Sequence, residues 1–291
     1  MWIGLKGRKI SAKRAAKYIF LIPGLCFFAY AIVVPFFMGI HIAFTDWNGI
    51  TTDYNYVGFR NFAVALGDRQ LWEPVIQTLE FALYGVIGNT LISLGLALLV
   101  NNRLGKLTAA ARTVFYIPCC FSAVLTAFLW KFVYKEIVTA VFGIRNPLGM
   151  PEWVILCIVA MQLWNTCGIN MLVYLSGLKN IPTDLYEAAV MDGASGMQKF
   201  RYITLPLLTP AFTVCVTLAL TNFMKTFALP LASTGGGPAG ASRTISIYIY
   251  ENLYRYNKAG YGEAVSVMFV IFLVVLSTAV QSFFRKREVE V

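Results

Sequence analysis

Few residues of this sequence are suited to chemistry, and their spacing argues against catalysis. Six cysteines are spread along the chain without a C-x-x-C pair, and the single histidine, His41, has no candidate ligand partner near it. Residues 235–242 have the glycine spacing and final serine of a phosphate-binding P-loop, but Ala241 stands where that loop requires a lysine. G-x-S-x-G and H-E-x-x-H motifs are also missing. We therefore expect no catalytic residue, no metal site and no bound cofactor in this chain.

The composition indicates an integral membrane protein. Hydrophobic residues make up 58% of the 291 residues and charged residues only 13%, whereas a soluble domain carries about 25% charged residues. This number of charged residues cannot cover the surface of a protein this large. Lipid must therefore surround much of that surface. The same numbers exclude intrinsic disorder.

Six apolar stretches are long enough, or nearly long enough, to cross a bilayer as helices. They run over residues 18–44, 81–102, 113–130, 153–178, 202–224 and 264–284. Their apolar residues are continuous and do not alternate with period two, which excludes an outer-membrane barrel. The predicted fold is all-α, with a basic arm at 1–17, a six-helix membrane domain at 18–284 and a short tail at 285–291.

The distribution of lysine and arginine predicts the orientation of these helices. Fifteen of the 24 basic residues fall in the N-terminal arm, between spans two and three, between spans four and five, and in the tail. Cytoplasmic loops carry this excess, so both termini are predicted to be cytoplasmic. The net charge of +10 then reflects topology and contact with anionic lipid, and we expect no nucleic-acid partner.

Polar residues within or directly after the apolar stretches are candidates for a solute pathway. They are Gln162, Asn165 and Asn170 in the fourth stretch, and Asn222, Lys225 and Thr226 at the end of the fifth. In a continuous helix, Asn222 and Thr226 would share a face, with Lys225 beside them. Polar groups at this depth need a partner or a wet cavity. The alternative for Lys225 is that its side chain reaches the outer headgroups.

The cytoplasmic segment 177–206 is predicted to form two short helices. Pro182 suits a first helical turn, Asp184 and Glu187 place negative charge near the helix N-terminus, and Gly193 suits a left-handed stop. A second helix over 196–202 would follow before Pro206 begins span five. An exposed helix pair between two spans suits a groove in another protein. A helix lying on lipid is the alternative, but the sparse apolar face and the acidic residues disfavour it.

The same segment resembles the coupling signature of ABC importer permeases. The matching pattern is Glu187-Ala188-Ala189-(x3)-Gly193-(x9)-Ile203-x-Leu205-Pro206. The resemblance implies an ATPase-coupling site formed by Glu187, Ala188, Ala189, Asp192, Gly193, Leu205 and Pro206. Further runs are similar to the carbohydrate-uptake branch, which includes maltose and glycerol-3-phosphate permeases; these runs are 18–23, 44–47, 57–62, 112–118, 129–131, 234–238 and 260–264. The sequence departs from the pattern of this branch at Ala228, where many relatives have an acidic residue.

The resemblance implies a multisubunit importer in a bacterial cell membrane. This chain would be one permease, assembled with a second homologous permease and two ABC ATPase subunits that bind the ATP. An extracellular or periplasmic solute-binding protein would deliver a sugar or oligosaccharide, and the loop 234–238 would meet it near the pore mouth. The coupling helix would lie between spans four and five.

Three other functions remain open from the residues alone. An anionic solute, such as glycerol-3-phosphate or a phosphodiester, would find a charge partner in Lys225. An ion-coupled secondary transporter is disfavoured because Asp and Glu are missing from the middle of every span. A membrane-embedded enzyme is disfavoured because no nucleophile or metal constellation is visible.

Overall fold

The computed structural model describes residues 12–101 and 106–288, and these residues are almost entirely helical. Among them, β pairing is confined to an isolated antiparallel bridge between Thr45 and Tyr56. Of the predicted basic arm at 1–17, residues 1–11 lie outside the described residues. Arg103 and the last three residues of the predicted tail also lie outside them.

Fifteen α-helices follow one another along the described chain. They are α1 Ala12–Phe28, α2 Val34–Ala43, α3 Arg60–Gly67, α4 Arg69–Asn101, α5 Lys106–Tyr116, α6 Ala123–Phe132, α7 Thr139–Phe142, α8 Pro151–Lys179, α9 Thr183–Met191, α10 Gly196–Lys199, α11 Leu205–Leu207, α12 Thr209–Met224, α13 Ala228–Thr234, α14 Ile245–Tyr250 and α15 Ala259–Arg285. Short π-helical turns (Ala29–Val33, Val133–Val138, Phe200–Thr204 and Glu251–Arg255) and 3₁₀ turns (Ile117–Cys120 and Pro147–Gly149) join or extend several of them.

Four unbroken helices in the described residues are long and apolar enough to cross a membrane: Ile19–Ala43, Arg69–Asn101, Pro151–Lys179 and Ala259–Arg285. Two further apolar pairs are sharply bent, Thr108–Cys120 with Ala123–Phe142 by 102°, and Gly196–Leu207 with Thr209–Met224 by 67°. Counting each pair as one span gives six. The second span begins at Arg69 rather than Phe81, because the turns before Phe81 belong to the same continuous helix.

The predicted third and fifth spans are bent, and proline explains both bends. Pro118 lies in the 3₁₀ turn after α5, and the chain is extended at Phe121 before Ser122 caps α6. In the other pair, the helix breaks at Leu208, two residues before Pro210. Proline has no N–H, so Pro210 cannot donate to the carbonyl of Pro206. The hydroxyl of Thr209 donates to that carbonyl instead, at 2.7 Å.

The described chain divides into two compact units, one up to Ala65 with Asn252–Val267 and the other comprising Leu66–Glu251 with the rest of α15. In the first unit, the Asn61 amide donates to the carbonyls of Ala43 and Thr45, both at 2.8 Å. The Gly260 N–H donates to the Trp47 carbonyl at 2.9 Å. A Cβ at Gly260 would lie 2.0 Å from the Thr45 carbonyl oxygen, so glycine is required there.

A carboxylate contact closes the loop between α2 and α3 in the same unit. The Asn55 backbone N–H donates to Asp46 Oδ1 at 2.6 Å, and the Asn55 side-chain amide donates to Oδ2 at 3.1 Å. These two donors, the backbone N–H first, hold the pKa of Asp46 below its usual value. The loop is therefore closed by an ionised carboxylate.

In the second unit, α4 packs along α8, and α12 packs against both helices. Glycines permit the close approach: a Cβ at Gly85 would overlap the Phe223 ring, and one at Gly168 would lie 2.3 Å from the Phe115 carbonyl oxygen. Small residues at helix contacts are how membrane helices pack closely. Buried hydrogen bonds also cross the α4–α8 contact, including Ser93 Oγ to the Cys167 carbonyl at 3.0 Å.

We predict that Gly168→Ala destabilises the protein, because the new methyl group would meet backbone that cannot rotate away. Overpacking of this kind costs about 1–3 kcal/mol. Thermal unfolding and monodispersity of the purified protein in detergent measure the effect. The control is Gly95→Ala, since a Cβ at Gly95 meets nothing within 4 Å and alanine favours a helix. Equal melting temperatures for the two variants would contradict the assigned contact.

Candidate coupling surface and solute pathway

The first helix of segment 177–206 ends at a left-handed glycine, as predicted. Gly193 has φ +75°, its N–H donates to the Val190 carbonyl at 3.0 Å, and the Ala194 N–H donates to the Ala189 carbonyl at 2.8 Å. These bonds satisfy carbonyls that the helix end leaves open. The prediction for Pro182 was wrong by one position, because Pro182 precedes α9 as its cap residue and Thr183 begins the first turn.

The second helix of the segment is longer than predicted. Ser195 and Gln198 form a reciprocal capping box at the start of α10. The helix then continues through the π turn Phe200–Thr204 into α11 and does not stop at residue 202. Leu205 and Pro206 therefore lie in the last turn before the break at Leu208, and Pro206 does not begin span five.

The inner side of α9 is anchored to the bundle. Tyr186 packs against a buried cluster that includes Ile181, Leu178 and Leu208. The Tyr186 hydroxyl also lies 2.8 Å from the Thr204 hydroxyl, which connects α9 to the helix that follows it. The position of α9 is therefore fixed relative to α10 and α11 by packing and by a hydrogen bond.

The outer side of α9 is uncovered by the described residues. Glu187, Ala188 and Val190 are exposed, and Met191 and Met197 are 87% and 74% exposed. We call these five residues the coupling surface. Asp192 and Gly193 are exposed beside it, whereas Ala189 is half-buried. Exposed methionines around a carboxylate on an anchored helix are typical of a surface that another protein covers.

The candidate pathway residues at the end of α12 do not lie on one helical face, so that prediction was wrong. The helix ends at Met224, and Lys225 has φ −89° and ψ +10°. Thr226 turns inward and is buried, whereas Asn222 and Lys225 are exposed. The i and i+4 argument fails because it assumed a helix that continued past residue 224.

Gln162 joins this break in the chain to α8. Its side chain is 9% exposed. Its Nε2 donates to the Asn222 carbonyl at 3.4 Å, and its Oε1 accepts from the Thr226 hydroxyl at 2.9 Å. The Thr226 carbonyl in turn accepts from the Thr244 hydroxyl at 3.0 Å. Both ends of the Gln162 amide are thus used within the fold.

The other two candidates on α8 are also engaged. Asn165 Nδ2 donates to the carbonyls of Pro118 and Phe121 at 2.9 and 3.0 Å, so it holds the bend of the third span. Asn170 is buried and donates to the side chain of Asn89 on α4. Of the six predicted pathway residues, only Asn222 and Lys225 present exposed side chains.

A group of aromatic side chains near Asn165 was missed by the sequence analysis. The rings of Phe121 and Trp164 are stacked with centroids 5.8 Å apart, and Trp130 meets Trp164 edge-on at 6.0 Å. Trp164 is 36% exposed. The three residues come from different parts of the sequence, so no local pattern could have grouped them.

The described residues contain no cluster of His, Cys, Asp and Glu arranged to hold a metal ion.

Residues 89–287 match the family model described as the binding-protein-dependent transport system inner membrane component. The chain belongs to this family. It is therefore a multi-pass membrane permease of an ABC importer and has a transport role rather than an enzymatic one.

Two permeases with similar sequences match this chain over nearly their whole length. The chain is 30% identical over 279 residues to the probable starch degradation products transport system permease protein AmyD of Thermoanaerobacterium thermosulfurigenes, covering 94% of this chain and 95% of that protein. It is 32% identical over 272 residues to the trehalose/maltose transport system permease protein MalF of Thermococcus litoralis, covering 89% and 90%.

The fold is also that of a solved importer. A chain of a bacterial ABC transporter involved in the import of the acidic polysaccharide alginate superposes with a TM-score of 0.82 at 22% identity, covering 94% of this chain and 96% of that chain. The all-α fold is therefore the permease architecture of this class of importer.

We predict that Thr226→Val destabilises the protein by about 1–3 kcal/mol, because the buried Gln162 oxygen would lose its donor while the volume stays the same. The matched control is Thr221→Val, since the Thr221 hydroxyl bonds only to carbonyls of its own helix. Thermal unfolding in detergent compares the two variants. If Thr226→Val melts at the same temperature as Thr221→Val, Gln162 does not depend on Thr226.

Proposed function

We propose that this chain is one of two permeases in an importer for a neutral sugar or oligosaccharide, powered by two separate ATPase subunits and supplied by a solute-binding protein. The observation that carries the coupling part is the uncovered outer face of α9, whose inner face is anchored. The sugar part is supported by the relatives, a probable permease for starch degradation products and a permease for trehalose and maltose. The partly exposed Phe121–Trp164 stack supplies the kind of ring surface on which sugars pack.

The coupling surface would receive the ATPase subunit. A force on Glu187 or Met191 would pass through Tyr186 to Thr204, and from there along α10 and α11. The break at Leu208 separates the segment from α9 to α11 from α12, so the angle between α11 and α12 can change without unfolding either helix. The packed helices would adopt two arrangements, and ATP-driven closure of the ATPases would favour one of them. The solute pathway would then open alternately to the two sides of the membrane.

The proposed orientation follows from the lysine and arginine distribution. Segment 177–206 and both termini would be cytoplasmic, with the arm 1–17 and the tail 285–291 flanking the membrane domain 18–284. The ATPases would then meet the coupling surface on the side where ATP is present. The solute-binding protein would meet the opposite side.

Asn222 and Lys225 would contact the solute directly. Both side chains are exposed beside the break that follows α12. Thr226, Gln162, Asn165 and Asn170 would act on the pathway indirectly, by holding the helix breaks that position it. A second candidate substrate class is an anionic solute, which the exposed cation of Lys225 favours.

We predict that Glu187→Lys and Gly193→Val each abolish transport while the protein still inserts in the membrane. The first reverses the charge at the centre of the coupling surface. The second places a β-branched residue at φ +75°, a conformation that costs L-residues about 1–2 kcal/mol. Transport into vesicles and co-purification of the ATPases measure the effect.

The control for these two variants is Gly196→Ala, because a Cβ at Gly196 meets nothing within 4 Å. It should transport at the wild-type rate. Wild-type transport by Glu187→Lys or Gly193→Val, with the ATPases bound, would refute the assignment of the coupling surface.

We predict that Asn222→Ala weakens substrate stimulation of the ATPase activity and leaves basal hydrolysis intact. One lost hydrogen bond costs about 0.5–1.5 kcal/mol, or up to about tenfold in affinity. Lys225→Met should have a smaller effect for a neutral sugar and a severe one for an anionic solute. Thr221→Val, one residue before Asn222, is the control. Unchanged substrate dependence in both Asn222→Ala and Lys225→Met would exclude this end of α12 from the pathway.

A further inference from the structure

A small basic pocket in the second unit is formed partly by the loop 234–238. It has a volume of about 350 Å³, and its lining includes Lys131 on α6, Lys135 on the π turn that follows, Asn146, and Thr234 with Pro238 from the glycine-rich loop after α13. The lining contains two ammonium groups and no carboxylate. The pocket is therefore electropositive.

The polar groups available in this pocket are donors. Lys131 has no ion pair within the described chain, and its Nζ lies 5.8 Å from the centroid of the Phe128 ring. Lys135 contacts Glu136 at 3.1 Å, but both side chains are well exposed, so this pair holds the lysine only weakly. Asn146 uses its Oδ1 to accept from the Leu148 N–H at 3.1 Å, which leaves its NH₂ group as a donor.

The hydroxyl groups of the lining do not add free donors. Thr234 donates to the Pro230 carbonyl at 3.0 Å or to the Ser242 hydroxyl, which lies 2.7 Å away. Ser233 is directed to the same Pro230 carbonyl at 3.4 Å. A ligand that complements this pocket must therefore supply acceptors and negative charge.

The loop that forms one wall is held in place by its own hydrogen bonds. Ser242 Oγ donates to the Gly237 carbonyl at 2.6 Å, and the Ala241 N–H donates to the Pro238 carbonyl at 2.8 Å. Gly235 and Gly236 have φ +64° and +85°, values that glycine adopts without strain. A wall that is ordered before binding lowers the entropic cost of association.

We propose that this pocket receives an aspartate or glutamate side chain of the solute-binding protein. The inference rests on the proposed function and on its orientation, which places residues 131–149 and 234–238 outside the cell. A carboxylate supplies the negative charge and the acceptors that Lys131, Lys135 and Asn146 lack. An acidic sugar is the weaker fit, because no aromatic side chain lines the pocket to support a ring.

A contact between exposed charges of this kind affects the rate of association most strongly. Complementary charges accelerate encounter, and salt removes the effect because the Debye length falls to about 8 Å at 0.15 M ionic strength. The pocket would thus guide the solute-binding protein onto the permease in one orientation. Release would depend on the rest of the interface.

The test is the double variant Lys131→Glu/Lys135→Glu in the complete importer, reconstituted in nanodiscs of neutral lipid. Association of the solute-binding protein that stimulates its ATPase is measured by surface plasmon resonance at 25 and 300 mM NaCl. We expect the on-rate to fall at least tenfold at 25 mM, with the difference largely lost at 300 mM. Basal ATPase activity and monodispersity should remain unchanged, since both side chains are exposed.

The matched control is Arg69→Glu/Lys258→Glu, which makes the same change in charge at two exposed residues outside the pocket. It should lower the on-rate less than threefold. Equal on-rates and salt dependence for the wild type and the pocket variant would overturn the inference. If no solute-binding protein binds to or stimulates the wild-type importer, the proposed function itself fails.

Two further measurements separate the competing occupants. Direct binding of a uronate trisaccharide to the importer without the solute-binding protein, lost in the pocket variant, would assign the pocket to an acidic sugar and overturn the proposal. A defect that appears only with anionic lipid would assign it to a headgroup. In a cysteine-free background, Lys135→Cys should react with an impermeant thiol reagent added outside the cell. Failure to react would place the pocket on the cytoplasmic side and overturn the proposal.

Discussion

Inside a bilayer no water is available to satisfy the carbonyls and N–H groups that a broken helix exposes, so each break needs a partner from the protein. Three such breaks lie in the part of the chain that the structure describes, and a side chain serves each of them. Asn165 donates to the carbonyls of Pro118 and Phe121 at the first. Thr209 donates to the carbonyl of Pro206 at the second. At the third, Gln162 donates to the Asn222 carbonyl and accepts from Thr226.

These partners explain why polar residues occur in otherwise apolar helices. Asn165 and Gln162 lie on α8, which packs against α4 and runs beside two of the breaks. Helix α8 thus supplies side-chain partners to two of the breaks, whereas the break at Leu208 is served by Thr209 of the same span. Replacing such a residue would affect the pathway through the geometry of the break, without any contact to the solute.

The breaks also separate the parts that transport requires to move. The segment from α9 to α11 is held together by Tyr186 and Thr204 and meets α12 at the bend at Leu208. Under the proposed function, a partner that covers the coupling surface would act on this segment and change its angle to α12. The two partner surfaces differ in chemistry: the coupling surface is apolar with one central carboxylate, whereas the pocket at Lys131 and Lys135 is basic. That difference suits two partners, an ATPase and a solute-binding protein.

The sequence by itself determined the membrane class, the all-helical fold and the exposed helix pair at 177–206. These features depend on local properties: the length of apolar runs, the count of charges, and glycine at a position such as 193 where the backbone must be left-handed. Only the tertiary structure decided where the third and fifth spans bend, because a proline does not reveal whether a distant Asn165 or a nearby Thr209 can satisfy the freed carbonyl. It also decided that Gln162, Asn165, Asn170 and Thr226 bond within the fold while Asn222 and Lys225 remain exposed. A polar residue in an apolar run must find a partner, but the identity of that partner depends on which helix packs beside it. The side chains of these four residues bond to partners 44 or more positions away in the sequence.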